Sequence, residues 1–431
     1  MAIHDENSLS RRELLGRGSA LALGLMLGSA SGLHAEELHP ATNEADDAIP
    51  ATPVGCAVIG LGEQGRNILT YLAYVKGANV LYVCDNYPAS HKKALELAPK
   101  ATAVTEYKKV LEDKNVQAVW VTTPTHLHKQ IVLDAIAAGK HVHCEAPLAS
   151  TIEDARAIAR AGIAAMPKQI FHAGLPSRTN PQHDHVLKFV RTGALGSVAS
   201  AKAGWNKKTS WRRTAPNDAR QSALNWRLAK ATSTGIVGEI GIHSFDVANW
   251  FLKAQPVAVT GFGNILAWKD GREVADTVQC VVEYPGGIPF NYDATLANSF
   301  NGQFEIFQGG DAAVLMRELR AWMFKEADAP ALGWEVYAYK EKVGDETGIA
   351  LVADASKLLK DGKEPSKNRE VAPTQTPTYW MCQKFVDAIR TGKPTDSGPK
   401  EGYDATVTAI TANQAIVSNG RVAFTKEMFT I

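Results

Sequence analysis

From Val54 onward, short apolar runs alternate with segments of helical period. Val54 to Ile59 is apolar, Arg66 to Val75 has helical spacing, and Val80 to Cys84 is apolar again. Ala118 to Thr122, Lys140 to Cys144 and Gln169 to His172 read as further strands, with helices over His128 to Ala138 and Ile152 to Ala165. Short apolar runs interleaved with helices predict a doubly wound parallel sheet, whose strands are buried on both faces. From Val198 the texture changes. Strand-like runs at Val198 to Gly204, Val257 to Phe262, Val274 to Tyr284, Ile288 to Thr295 and Gly302 to Gln308 are separated by Gly, Asn or Pro turns. That texture predicts a second, mainly antiparallel sheet. The expected layout is α/β, with one domain over residues 53–175 and another over 176–431.

The first strand runs into Gly60-Leu61-Gly62-Glu63-Gln64-Gly65, and a helix follows. Gly60 permits the tight turn, Gly62 lets backbone approach a pyrophosphate, and Gly65 lets helix and strand pack closely. The free N–H groups at the helix start, including those of Glu63 and Gln64, suit phosphate oxygens. Asp85 ends the second strand 20 residues after Gly65, where an acid accepts hydrogen bonds from a ribose 2′-OH. A carboxylate there repels a 2′-phosphate, and Asn86-Tyr87 supplies no arginine, so NAD is favoured over NADP. Ligands of such sheets sit at the carboxyl ends of strands, where Thr123, Pro124, His128, Glu145, Pro147 and His172 fall.

Composition narrows this little. The chain has 431 residues, 46 Lys+Arg against 45 Asp+Glu, and 45% hydrophobic residues. That size suits two or three domains, and the ordinary apolar share argues against wholesale disorder. A net charge of +1 gives no global case for nucleic acid. Five cysteines in so long a chain do not form a disulfide scaffold; Cys56, Cys84 and Cys144 read as buried thiols in strands.

Residues 1–35 read as an address. Ser10-Arg11-Arg12-Glu13-Leu14-Leu15 leads into a weakly apolar run from Gly18 to Ser31, too short to span a bilayer. The order of charge, apolar run and small residues is that of an export signal of twin-arginine type, predicting a periplasmic or otherwise exported protein with no membrane association afterwards. Residues 36–52 read as a linker.

In the second domain, Gly238-Glu239-Ile240-Gly241-Ile242-His243-Ser244-Phe245-Asp246 reads as one helix that puts Glu239, His243, Asp246 and Trp250 on one face. Here the chain resembles the Gfo/Idh/MocA oxidoreductases. The resemblance covers nearly all of residues 54–431. It rests on the glycine triplet, Thr123-Pro124 with His128, Gly139-Lys140-His141-Val142, Glu145-x-Pro147, Arg178-x-x-Pro181, Gly193-x-x-Gly196, His243-x-x-Asp246, and Phe385 with Ile389-Arg390-Thr391-Gly392-Lys393-Pro394 and Gly402. It implies an N-terminal Rossmann domain, a C-terminal α/β domain with an open, mainly antiparallel sheet, and NAD(P)-dependent chemistry on hydroxyls or carbonyls of sugars and inositols. It also implies Glu145 beside the nicotinamide ribose, His243 at the reacting hydroxyl, Asp246 holding substrate or orienting that histidine, and a homo-oligomer, dimer or tetramer, joined through the open sheet.

One departure matters. The family's Glu-Lys-Pro, whose lysine assists proton transfer, reads Glu145-Ala146-Pro147 here. Alanine carries no proton, so His243 becomes the expected acid/base, with Glu239 and Asp246 as carboxylate neighbours. His172, His128 and Lys207 are reserves. Arg178, Lys207, Trp211, Trp226 and His172 are expected to bind substrate, indole faces stacking on sugar C–H surfaces; a covering loop is the plainer reading of residues 205–227. A metal at Glu239/His243/Asp246 lacks a full shell of ligands, so none is expected. His183-Asp184-His185 reads as a solvated helix start.

An exported dehydrogenase has no pool of soluble cofactor, so NAD should travel inside the folded protein and stay. Two redox-neutral schemes fit: hydride passed to a second carbohydrate, or returned to the same molecule after transient oxidation. The expectation is therefore an oxidoreductase acting on a sugar ring CH–OH with tightly held NAD. The alternatives are an NAD-dependent glycoside hydrolase or lyase, and a non-catalytic sugar-responsive binding protein. Residues 309–376 give no clear pattern.

Overall fold

The computed structural model describes residues 52–317, 319–353 and 371–431; the predicted leader and all of the linker but Thr52 lie outside them. Six parallel strands form the first sheet: β1 (Val54–Ile59), β2 (Ala78–Cys84), β3 (Thr102–Val104), β4 (Ala118–Val121), β5 (His141–Glu145) and β6 (Phe171–Gly174). Their order is β3-β2-β1-β4-β5-β6. The order reverses between β1 and β4, which opens a crevice above the strand ends there. Every residue of β1 and β4 is buried, as strands covered on both faces require. β3, only three residues long, gave no sequence signal.

The second sheet has ten strands: β7 (Val198–Asn206), β8 (Ala258–Asn264), β9 (Thr277–Tyr284), β10 (Ile288–Thr295), β11 (Gln303–Gly309), β12 (Ala312–Arg317), β13 (Arg320–Lys325), β14 (Lys340–Val343), β15 (Glu346–Ala350) and β16 (Val422–Ala423). The order is β14-β15-β13-β12-β11-β7-β10-β9-β8-β16, antiparallel except between β7 and β10. Strict alternation of burial, as in Thr277–Tyr284, sends one face inward under the helices Gly241–Leu252 and Pro399–Ser418. The other face is open and carries Phe262 and Val281 in exposed positions. The unread segment supplies β12 to β15, which lengthen this sheet at one edge.

The chain does not stay in its second domain. The helix Pro377–Thr391, capped by Thr376, returns to pack Met381, Cys382 and Phe385 into the core of the first sheet. Phe385 meets Trp120 edge-on at 5.0 Å, and both are fully buried. Phe385→Ala is expected to lower stability by about 3–5 kcal/mol, measured by denaturant unfolding. Loss below about 1 kcal/mol would mean the helix contributes little to the first domain's core.

All five cysteines are free and buried. Burial pushes the thiols of Cys56, Cys84 and Cys280 up to about 12. Among the described residues, no helix is long and apolar enough to cross a membrane.

Candidate active site

The turn after β1 has the geometry its glycines demand. Gly60 sits at φ +97°, and a Cβ there would press on the Thr123 N and the Thr122 O. A Cβ on Gly65 would lie 1.9 Å from the Gly60 O, so helix and turn touch backbone to backbone. Gly62 faces open space. No side chain caps the helix Glu63–Leu72, which leaves its first N–H groups for an anion. Asp85 is aimed at this turn: Leu61 N–H donates to its Oδ2 and Tyr87 N–H to its Oδ1, each at 2.8 Å. Each oxygen keeps a further lone pair, enough for a ribose diol. A cradle that a Cβ would fill, beside a doubly anchored acid, fits NAD.

A segment of the second domain spans this cleft. Arg213 forms a close ion pair with Glu63, and the Arg220 guanidinium lies 4.3 Å from the centre of the Tyr87 ring. The Glu63 carboxylate is engaged by Arg213, and its backbone N–H stands in the uncapped first turn of the helix.

At the other end of the cleft stands Glu145, the last residue of β5. Its Oε1 accepts from Gln64 Nε2 at 2.9 Å and lies 3.3 Å from His143 Nε2. Burial pushes the carboxyl up, yet its bond to and charge contact with His143, helped by Gln64 and His243, hold it below the ordinary glutamate range. Gln64, expected to meet phosphate, thus also ties the glycine turn to Glu145. Thr123 keeps a buried hydroxyl with no partner in the protein.

His128 departs from expectation. It is buried, with ring nitrogens 2.8 Å from the Thr123 O and 3.1 Å from the Pro147 O. It pins the loops carrying Thr123, Pro124 and Pro147 rather than touching a ligand. His172 is likewise no substrate ligand: it is 0% exposed, behind the sheet ends, stacked on Phe385 and 2.9 Å from His143.

The predicted single helix through Glu239 and His243 is broken. Gly235–Glu239 ends at Ile240, and a new helix, Gly241–Leu252, begins. His243 lies in its first turn. Burial lowers its imidazole below the ordinary value, against the opposing charges of Glu145 and Glu305, and its Nδ1 has no protein partner. The ring is thus neutral near pH 7 and free to accept a proton.

The break separates Glu239 from it. Glu239 accepts from Thr234 Oγ1 (2.8 Å), Thr234 N–H (3.1 Å) and Thr125 Oγ1 (3.1 Å). It fastens the Thr123–Thr125 loop to the second domain, and these bonds take three of its four lone pairs. Asp246 is committed too. Arg178 Nε bonds both its oxygens at 2.9 and 3.0 Å, and Nη2 approaches to 2.9 Å. Asp246 and Arg178 form a buried pair that braces the helix, rather than a proton carrier and a substrate hand.

Trp211 and Trp226 do converge, with the Arg227 guanidinium 5.7 and 4.6 Å from their rings and His126 6.0 Å from Trp226. Arg227 also approaches Glu239 at 3.8 Å. Lys207 is exposed and stands apart from this group's ring and guanidinium contacts. His126, Arg227 and His143 went unread. His143 was recoverable, since residues two apart on a strand share a face and it precedes Glu145 by two. His183 is buried 3.7 Å from Glu305, not solvated.

A parallel sheet with a glycine-turn cradle and a buried imidazole facing its far end defines a dinucleotide-dependent oxidoreductase scaffold. Residues 54–167 match the model of the oxidoreductase family with NAD-binding Rossmann fold, and residues 183–310 the matching C-terminal domain. The chain belongs to the Gfo/Idh/MocA family, and its N-terminal domain is an NAD-binding Rossmann fold. It is 30% identical over 152 residues to levoglucosan dehydrogenase of Pseudarthrobacter phenanthrenivorans, covering 35% of this chain and 36% of that protein. It is 27% identical over 244 residues to 2,7-anhydro-N-acetylneuraminate hydratase of Escherichia coli, covering 54% and 59%. The matches thus span well under two thirds of either relative. A solved levoglucosan dehydrogenase in complex with NADH and levoglucosan superposes with TM-score 0.69 at 18% identity, over 86% of this chain and 99% of that one.

Proposed function

We propose that the protein oxidises a ring CH–OH of a sugar or sugar derivative, with tightly held NAD and His243 as acid/base. The carrying observation is the buried, unpartnered Nδ1 of an imidazole kept neutral, within electrostatic reach of Glu145. NAD supplies a hydride acceptor when bound. The protein's own residues do the rest: Asp85 and the glycine turn hold the adenosine and pyrophosphate end, Glu145 directs a carboxylate at the second nucleoside, and His243 takes the hydroxyl proton as the carbonyl forms. Trp211 and Trp226 are the sugar-stacking faces, with Arg227 between them. The Arg213–Glu63 and Arg220–Tyr87 contacts support cofactor retention.

Retention matches the twin-arginine leader: the protein works outside the cytoplasm after export, and each hydride taken must be returned. A second reading, hydrolysis or elimination through a transient ketone, is favoured by Ala146 in place of the family's lysine and by a hydratase among the relatives. The open sheet face carrying Phe262 and Val281 is the surface through which copies would pair.

The test is chemical. Purified, exhaustively desalted protein, once denatured, is expected to release close to one NAD per chain. An empty protein that binds NAD weakly would defeat tight retention. Net NADH formation with a single sugar would then count against a redox-neutral cycle.

A further inference from the structure

Behind Glu145, on the side away from the cleft, lies a pair of histidines that the chemistry above does not use. Parallel pairing of β5 with β6 sets His143 beside His172. Their Nδ1 atoms are 2.9 Å apart, and both rings are fully buried. His143 Nε2 faces Glu145, while His172 Nε2 is buried with no partner. Two nitrogens at hydrogen-bonding distance need one proton between them. With the pair neutral, His143 Nε2–H points at Glu145, His172 Nδ1–H donates to His143, and His172 Nε2 is bare. With one proton more, the first two positions stay filled and the added proton sits on His172 Nε2. The same geometry serves both states, and only the unpartnered nitrogen changes.

The strand order says what Glu145 faces. Asp85, the glycine turn, Thr123 and Glu145 stand at the ends of β2, β1, β4 and β5, which are consecutive in the sheet. Three strand spacings span about 14 Å, the reach from one nucleoside of a dinucleotide across its pyrophosphate towards the other. Asp85 holds the adenosine end, so Glu145 meets the nicotinamide end. A nicotinamide ring is cationic when oxidised and neutral when reduced.

We propose that His143 and His172 are a buried proton store for Glu145, which takes up one proton when the charge facing Glu145 falls by one unit and releases it when that charge returns. The inference rests on the reading that a nicotinamide works beside Glu145. Its logic is charge constancy: the Glu145 anion is balanced from the front by the oxidised ring, or from behind by the protonated pair, so the buried region stays neutral throughout. Few other groups face the cluster. His243 stands in front, and His128, Cys144 and Cys382 lie around it. Burial keeps both thiols protonated and His128 neutral, and burial together with the neighbouring His143 holds His172 well below the ordinary imidazole value, so the linked window lies on the acid side of that value.

The sign follows. Binding the reduced cofactor takes up a proton, so preference for NADH falls as pH rises. Holoprotein is equilibrated, without substrate, with mixtures of NAD⁺ and NADH over a pH series, rapidly desalted and denatured, and the bound ratio read. The bound NADH:NAD⁺ ratio, relative to the free ratio, should fall about tenfold per pH unit in the linked window. His143→Gln keeps a donor for Glu145 and should flatten the dependence, as should His172→Asn, which keeps a donor for His143. His243→Gln should leave it. A flat wild-type profile, survival of the slope in both pair variants, or its loss in His243→Gln would overturn the proposal. Absence of either dinucleotide from the denatured samples would overturn the cofactor reading itself, and is seen separately in the same measurement.

Discussion

His243→Ala should lower kcat for sugar oxidation by about 10²–10⁴-fold while the NAD carried by the protein stays unchanged. The imidazole Nδ1 makes no hydrogen bond to the glycine turn, Asp85 or Glu145, so its removal should spare cofactor binding. It should also spare folding, because Nδ1 makes no bond that the fold depends on. KM should move far less than kcat, since a proton acceptor acts on the transition state. Burial depresses the ring's proton affinity, so the base form persists below the ordinary imidazole range. The acid limb of the oxidative rate should therefore fall below about pH 6.5. Turnover unchanged in His243→Ala would defeat both enzymatic readings as assigned and favour a sugar-responsive binding protein.

Gly65→Ala should empty the cofactor site and destabilise the first domain together. Its Cβ would sit 1.9 Å from the Gly60 O and 2.8 Å from Thr122 Oγ1. The oxygen belongs to the turn and cannot rotate away; Thr122 Oγ1 already donates to the Gly60 O at 2.6 Å. Relief requires moving the helix off β1, at a cost of about 3 kcal/mol or more. Bound NAD should fall to near zero, with a lower thermal midpoint. Gly62→Ala separates the two effects. Nothing lies within 4 Å of its Cβ, so the fold should hold, while the methyl intrudes where phosphate must approach. A Gly62→Ala protein with full NAD content would refute the close backbone approach.

Much of the first domain was legible because its signals are local. A buried parallel strand is a continuous apolar run, and a dinucleotide turn needs glycine at fixed offsets, so β1, Gly60 to Gly65 and Asp85 stand out in the chain. The helix Ile152–Ala165 was bounded correctly for the same reason, with Thr151 as its cap. The second domain hides more. β12 to β15 pair at the sheet edge, where one face is solvated and the runs are short and charged. The break at Ile240 could not be read either, since helical spacing continues across it and only tertiary packing imposes the kink. What went unseen in the site was commitment. Arg178 with Asp246, and Glu239 with Thr234, are distant or folded-back partnerships, and a list of ligand-like residues does not reveal which are already satisfied.

The five buried thiols bear on where such a protein can be made and where it can work. All five are free and enclosed, and burial holds every one of them in the thiol form, so the fold rests on no disulfide. Folding of such a chain requires no disulfide, in a reducing compartment or an oxidising one. Redox indifference of that kind is what a passenger carried across a membrane ready-folded would require.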